Sequence, residues 1–294
     1  DPKYVQAWNN RGLVRLAQGE YQKAIDDFNK AVEIDPQYAD GFNNRGFAWY
    51  QADVDDRALA DFDHTLELKP GYVNAWNNRG MLHMRMQKYR DAVEDFTQAI
   101  TREENNVKHY RNRQAAYLQL GMDDRASQDG ARVAWLTDLS RMNLAVSQEP
   151  QKPEGYIQRA GHLAKDGRHE IALANFDQAV KVAPENGKPL TSRAAYWLNR
   201  GDLEKAVADS TTAINLGYDQ QAHSIRGEAF LQLGRYDEAI EDFTEARRLD
   251  SSVAQAYFKR AVQRNERGDA QGAAEDVEQA RRIDPAVVEN SARQ

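Results

Sequence analysis

A spacing of 34 residues between like residues constrains this chain more than any other feature. The stretch from Val5 to Tyr38 sets the pattern. Within it Trp8, Gly12, Arg15 and Leu16 recur at helical spacing, and so do Ala24, Phe28 and Ala31. Gly19 lies between the two sets, where one helix ends and the chain turns. Pro36 removes an amide donor and stops the second helix. Two helices of this size cannot bury their apolar faces alone, so each unit requires a copy beside it. The outcome is an elongated array in which each unit touches its neighbours.

Seven further units follow the first, at 39–72, 73–106, 107–140, 153–186, 187–219, 220–253 and 254–287, and the unit at 187–219 is one residue short. One position holds Ala24, Ala58, Ala92, Ala126, Ala172, Ala206, Ala239 and Ala273. Another holds Gly12, Gly46, Gly80 and Gly227, or Ala160, Ala194 and Ala261, with Gln114 the one departure. Small residues there let the two helices of a unit approach closely. Phe28, Phe62, Phe96, Phe176 and Phe243 fill the space beside them. The fourth unit has Gly130 in place of that phenylalanine.

A complete arginine series, Arg11, Arg45, Arg79, Arg113, Arg159, Arg193, Arg226 and Arg260, faces an acidic one across the turn: Asp27, Asp61, Asp95, Asp129, Asp209, Asp242 and Asp276, with Asn175 the one substitute. Buried charges are normally paired, so these are read as ion pairs within each unit rather than as an anion track.

A 34-residue period carrying Trp-x2-Arg-Gly, then Ala, Phe and Ala, then Pro resembles the tetratricopeptide repeat, here in a subtype with Arg where the common pattern has Leu. The resemblance covers nearly the whole chain. It implies an all-α fold, an α-solenoid in which eight helix-turn-helix units form a right-handed superhelix. It also implies protein interaction, with the first helices lining a concave surface.

Residues 141–152 break the rhythm between the fourth and fifth units. No proline intervenes from Asp124 to Ser147, and Val133, Leu136, Leu139, Met142 and Val146 share a face. One long helix, or one broken near Gly130, is expected, ended by Pro150 and Pro153. The stretch reads either as a lengthened second helix with a local kink in the superhelix, or as a joint or docking face between two four-unit blocks. Asp1-Pro2 matches the close of a unit, which reads as a fragment with a further repeat ahead of it; residues 288–294 form a tail.

Other classes find little support. Net charge is −7 with no basic stripe, which argues against a nucleic-acid groove. There are no cysteines for disulfides or thiolate metal sites, and no apolar run of membrane-spanning length. The histidines show no metal spacing, and no phosphate loop or nucleophile elbow is present. No catalytic residue, metal or cofactor is assigned.

Two residues beyond Trp8, position 10 lies about 200° round the helical wheel and faces away from the partner helix. It carries Asn10, Asn44, Asn78 and Asn112, then Gln158, Ser192, Ile225 and Lys259. The unbroken asparagines resemble the ladder of the O-linked N-acetylglucosamine transferase repeat domain, which grips extended peptide backbone. An asparagine amide pairs with a peptide N–H and C=O together. Packed helices about 8–10 Å apart would set one rung at roughly every third peptide residue.

Leu13, Phe47, Tyr50, Met81 and Met84 flank the row, with Leu13 and Phe47 read as packing between units. Lys108 and Arg111 with Asn78 partly echo the family's carboxylate clamp, but Asn43, Met81 and Asn112 depart from it. The candidate peptide-binding residues are therefore Asn10, Asn44, Asn78, Asn112, Gln158, Tyr50, Met84, Lys108 and Arg111. The expected function is a scaffold holding an extended segment of a partner protein. Recruitment of substrates to an enzyme in a longer protein, and self-assembly through terminal faces, are the alternatives.

Overall fold

The computed structural model describes residues 4–291, and the Asp1-Pro2 pair lies outside them. Those residues hold seventeen helices and no strand. The first unit of the chain, Asp1–Asp138, carries α1 (Val5–Ala17), α2 (Tyr21–Ile34), α3 (Ala39–Gln51), α4 (Asp55–Leu68), α5 (Val73–Arg85), α6 (Tyr89–Arg102) and α7 (Val107–Gln119). The second unit, Leu139–Gln294, carries α9 (Pro153–Lys165), α10 (His169–Val182), α11 (Gly187–Arg200), α12 (Leu203–Asn215), α13 (Asp219–Gln232), α14 (Tyr236–Glu245), α15 (Ser251–Glu266), α16 (Ala270–Ile283) and α17 (Pro285–Ser291). The division falls inside α8 (Asp123–Gln148). The fold is an all-α solenoid of helix-turn-helix repeats.

Consecutive helices pair as hairpins: α1 packs on α2, α3 on α4, α5 on α6, and in the second unit α9 on α10, α11 on α12, α13 on α14 and α15 on α16. Within each unit the second helix of a hairpin also packs on the next first helix, and successive first helices touch one another. The turn inside a hairpin needs one residue of left-handed backbone. Gly19 supplies it at φ 77°, and Gln87 takes the same place at φ 61° despite its side chain. The tail expected from residue 288 begins inside the short helix α17, which packs on α15 and α16.

The core is built as the residue series requires. Ala24, Ala58 and Ala92 are fully buried, and so are Phe28, Phe62 and Phe96. A Cβ on Gly12 would stand 2.6 Å from the Phe28 ring, and one on Gly80 would stand 2.6 Å from the Phe96 ring. Glycine is thus what lets the ring approach the first helix so closely. The fourth repeat fills the same gap from the opposite side: a Cβ on Gly130 would meet Gln114 Nε2 at 2.6 Å. Gln114 and Gly130, the two departures in sequence, are one exchange of volume. Gly130 accordingly does not break α8, which is a single 26-residue helix. Its Val133 and Leu136 pack with Ile100 and Tyr110. Pro150 follows its end, whereas Pro153 opens α9 instead of ending α8, because a proline at the first helical position lacks only an amide that has no partner there.

The arginines pair as expected and do more. Arg45 Nε and Nη2 donate to Asp61 at 2.8 and 2.7 Å. Arg113 repeats this fork with Asp129, Arg193 with Asp209, and Arg260 with Asp276. The remaining nitrogen, Nη1, reaches back to the preceding second helix. It meets Asn29 from Arg45 at 2.8 Å, Asp63 from Arg79 at 2.6 Å and Thr97 from Arg113 at 3.0 Å. In the second unit Arg193 reaches Asp177 at 2.6 Å and Arg226 reaches Thr211 at 3.0 Å. One guanidinium therefore ties its own hairpin shut and fastens that hairpin to the one before.

Arg159 is the exception. Its Nε donates to the neutral Asn175 at 2.7 Å, and burial holds its pKa below the usual arginine range. Hydrogen bonding to Asp209 instead raises that of Arg193. Asn175→Asp should restore the charged fork and raise stability by about 1 kcal/mol, on the scale of a charge-assisted hydrogen bond. Thermal melts followed by circular dichroism check this; an unchanged or lower melting temperature would argue against a net gain from pairing there.

Candidate functional site

The first helices of the first unit present two adjacent asparagine rows. Asn44 Nδ2 donates to Asn9 Oδ1 at 2.9 Å, Asn78 Nδ2 to Asn43 Oδ1 at 3.1 Å, and Asn112 Nδ2 to Asn77 Oδ1 at 2.9 Å. Each position-10 side chain thus leans on position 9 of the preceding repeat. Asn9 and Asn43 are buried, while Asn44, Asn78 and Asn112 stay partly exposed. Asn10 is exposed. Sequence reading missed the position-9 row; the repeated doublets Asn9-Asn10, Asn43-Asn44 and Asn77-Asn78 were its signal.

The fixed amides keep unused capacity. Asn44 Oδ1 accepts from Asn43 at 3.3 Å, and His109 Nδ1 lies 3.2 Å from Asn77 Oδ1. The same histidine reaches Glu103, whose carboxyl is held below the usual range by hydrogen bonds from Asn106 and then His109.

A cleft of about 410 Å³ opens beside Asn112, lined by Tyr50, Met81, Met84, Arg85, Phe96 and Ala115. Tyr50, Met84 and Asn112, three of the residues singled out in sequence, thus meet at one place. Met81 and Met84 also pack on the core of Ala92, Phe96 and Ala116. Arg85 holds the cleft's edge: Nη1 donates to Tyr50 O at 2.7 Å and to Asp53 at 2.8 Å, Nη2 pairs with Asp55, and the guanidinium lies 3.9 Å over the Tyr50 ring. Sequence reading also missed Arg85.

Other candidates lie elsewhere. Lys108 and Arg111 are exposed on α7 and do not line the cleft. Gln158 is exposed on α9, in the second unit. Phe47 packs against Ala58, Phe62 and Leu82 as expected of a packing residue, but Leu13 does not: it is 40% exposed, with no apolar cluster over it.

Two sequence models, both of the tetratricopeptide repeat, match the chain: one at residues 5–38 and 73–106, the other at 158–214 and 221–287. The chain belongs to the tetratricopeptide-repeat family. Among curated relatives, Dynein axonemal assembly factor 4 of Pongo pygmaeus is 29% identical over 136 residues, 42% of this chain and 32% of that protein. Hsc70-interacting protein 1 of Drosophila melanogaster is 32% identical over 126 residues, 42% of this chain and 33% of that protein.

The chain spans about a third of the length of these relatives. Similar solved structures include the first tetratricopeptide-repeat domain of Spaghetti (RPAP3) bound to the HSP90 peptide SRMEEVD, with TM-score 0.40 and 24% identity over 41% of this chain and 96% of that one. A crystal structure of MamA matches with TM-score 0.40 and 16% identity over 59% of this chain and 94% of that one. Among the described residues no helix is long and apolar enough to cross a membrane, and no three metal-binding side chains converge.

Proposed function

We propose that the first unit holds an extended peptide segment of a partner protein along its first helices. The observation that carries this reading is the regular row of Asn44, Asn78 and Asn112, one amide per repeat, each anchored through a single donated bond. Each anchored amide keeps a second N–H to offer a peptide carbonyl, and Asn78 and Asn112 also keep an oxygen to accept from a peptide N–H. Anchoring reduces the entropy lost on binding.

Met84 and Tyr50 offer the adjoining cleft to one peptide side chain, and a soft, adaptable methionine surface accepts varied ones. Lys108 and Arg111 place positive charge on α7 for acidic residues of the ligand. Asn10 and Gln158 occupy the same register position in α1 and α9. Interaction with a partner protein agrees with the relative named for interaction with Hsc70. Substrate recruitment within a longer protein would use the same surface, whereas self-assembly through terminal faces would show as light scattering that rises with concentration.

An array of short peptides tests the reading. Removing two rungs with Asn44→Ala and Asn78→Ala together should weaken bound peptides by about ten- to a hundredfold, at about 1 kcal/mol per lost hydrogen bond. Asn10→Ala, at an exposed side chain, serves as a control whose melting temperature should not move. Unchanged affinity in the double variant would remove the asparagine row from the binding site.

A further inference from the structure

The second unit carries a cleft at the place equivalent to that of Tyr50 and Met84, with different chemistry. It measures about 330 Å³ and lies between α9 and α11 over α10. Its floor is aromatic: the Phe176 and Tyr196 ring centroids are 5.4 Å apart, and His169 stands 6.1 Å from Tyr196.

Repeat by repeat, Phe176 matches Phe96 and Ser192 matches Asn112, but Gly161 and Ala164 stand where the first cleft has Met81 and Met84. The two methionine side chains that line the first cleft have no counterpart here. Gly161 has no packing reason to be glycine, since a Cβ there would meet nothing within 4 Å, whereas Gly12, Gly46 and Gly80 each lie under a phenylalanine ring. Glycine inside a helix is unfavourable. Its effect at this site is to leave an apolar socket open.

The mouth of the socket is cationic. Lys165 at the end of α9 and Arg200 at the end of α11 line it, both are exposed, and neither has an ion pair among the described residues. The acids next to them are already engaged, Asp166 with Arg168 at 3.0 Å and Asp202 with Lys205 at 4.0 Å.

We propose that this socket is a second binding site, distinct from the asparagine row, which takes one large apolar side chain of a partner peptide whose flanking residues are acidic. The ring or branched chain enters over Phe176 and Tyr196 and displaces water from apolar surface. Carboxylates on either side of it meet Lys165 and Arg200, which sit on two different helices at the rim.

The full chain, titrated against fluorescein-labelled Glu-Asp-Phe-Asp-Glu amide in low salt and followed by anisotropy, tests the proposal. Glu-Asp-Ala-Asp-Glu and Lys-Lys-Phe-Lys-Lys amides are the comparators. The acidic phenylalanine peptide should bind more tightly than either comparator, and that advantage should fall with added salt. Gly161→Met should fill the socket and weaken binding at least about tenfold, the effect of denying burial to one large side chain. Its melting temperature should hold, since the added side chain meets open space.

Lys165→Glu with Arg200→Glu should remove the advantage of the acidic phenylalanine peptide. In a chain carrying Asn44→Ala and Asn78→Ala, which lacks the asparagine row, the acidic phenylalanine peptide should keep its advantage over both comparators, which separates failure of this site from failure of the row. No binding of the acidic phenylalanine peptide, equal binding of the alanine peptide, or wild-type affinity in a folded Gly161→Met chain would each overturn the proposal.

Discussion

Arg45→Ala is expected to destabilise the first unit by about 3 kcal/mol, the low end for stranding a buried carboxylate by removing its partner. Asp61 is buried, and the Arg45 guanidinium supplies a two-pronged bond to its carboxylate. The guanidinium is itself 19% exposed, which keeps the loss below the upper end of the range. The same change cuts the tie to Asn29, so it loosens α3 from α2 as well as from α4.

Arg79→Ala should cost less. Asp95 keeps a second partner in His83 Nδ1 at 2.8 Å, whereas Trp49 stands at the equivalent place beside Asp61. In a repeat array the loss is local before it is global. Hydrogen exchange should therefore rise first in α3 and α4, and the melting temperature should fall further for Arg45→Ala than for Arg79→Ala. Equal melting temperatures for wild type and Arg45→Ala would mean that these forks contribute nothing to stability.

The second large effect is a rescue. Gly130→Phe alone sets a ring against Gln114, whose Nε2 already comes within 2.6 Å of a Cβ at that site, and overpacking of this kind costs about 1–3 kcal/mol. Gln114→Gly alone empties the gap and puts an extra glycine inside α7, at about 1 kcal/mol for the backbone. Together they rebuild the glycine–phenylalanine pair of the first three repeats. The double variant should lie within about 1 kcal/mol of wild type, a coupling of about 2 kcal/mol. Chemical denaturation of all four chains measures it. Additive losses would show that the fourth repeat is shaped by something other than this exchange of volume.

These variants also mark what a sequence of this kind discloses. The period, the alanine and phenylalanine series and the Arg–Asp pairing were legible because each depends on one residue type returning to one place. The backward reach of arginine was not legible, because its acceptors, Asn29, Asp63 and Thr97, share only the ability to accept a hydrogen bond. Gln114 and Gly130 look like two separate defects until both helices are set side by side.

For the candidate site, the asparagine row was visible, but its anchoring on Asn9, Asn43 and Asn77 depends on which way each side chain leans between repeats. Arg85 and the open space at Gly161 were invisible for a related reason. One acts through a turn 32 residues earlier, and the other acts through a side chain that is not there.

The central claim is that partners lie along the first helices of the first unit rather than on its outer helices. Photo-cross-linking measures this most directly. A benzophenone amino acid is placed at Met84, in the cleft, or at Asp26, exposed on α2. Each chain is then irradiated with a peptide selected on the array. The account predicts adducts from position 84 and none from position 26; adducts from position 26 with none from position 84 would contradict it.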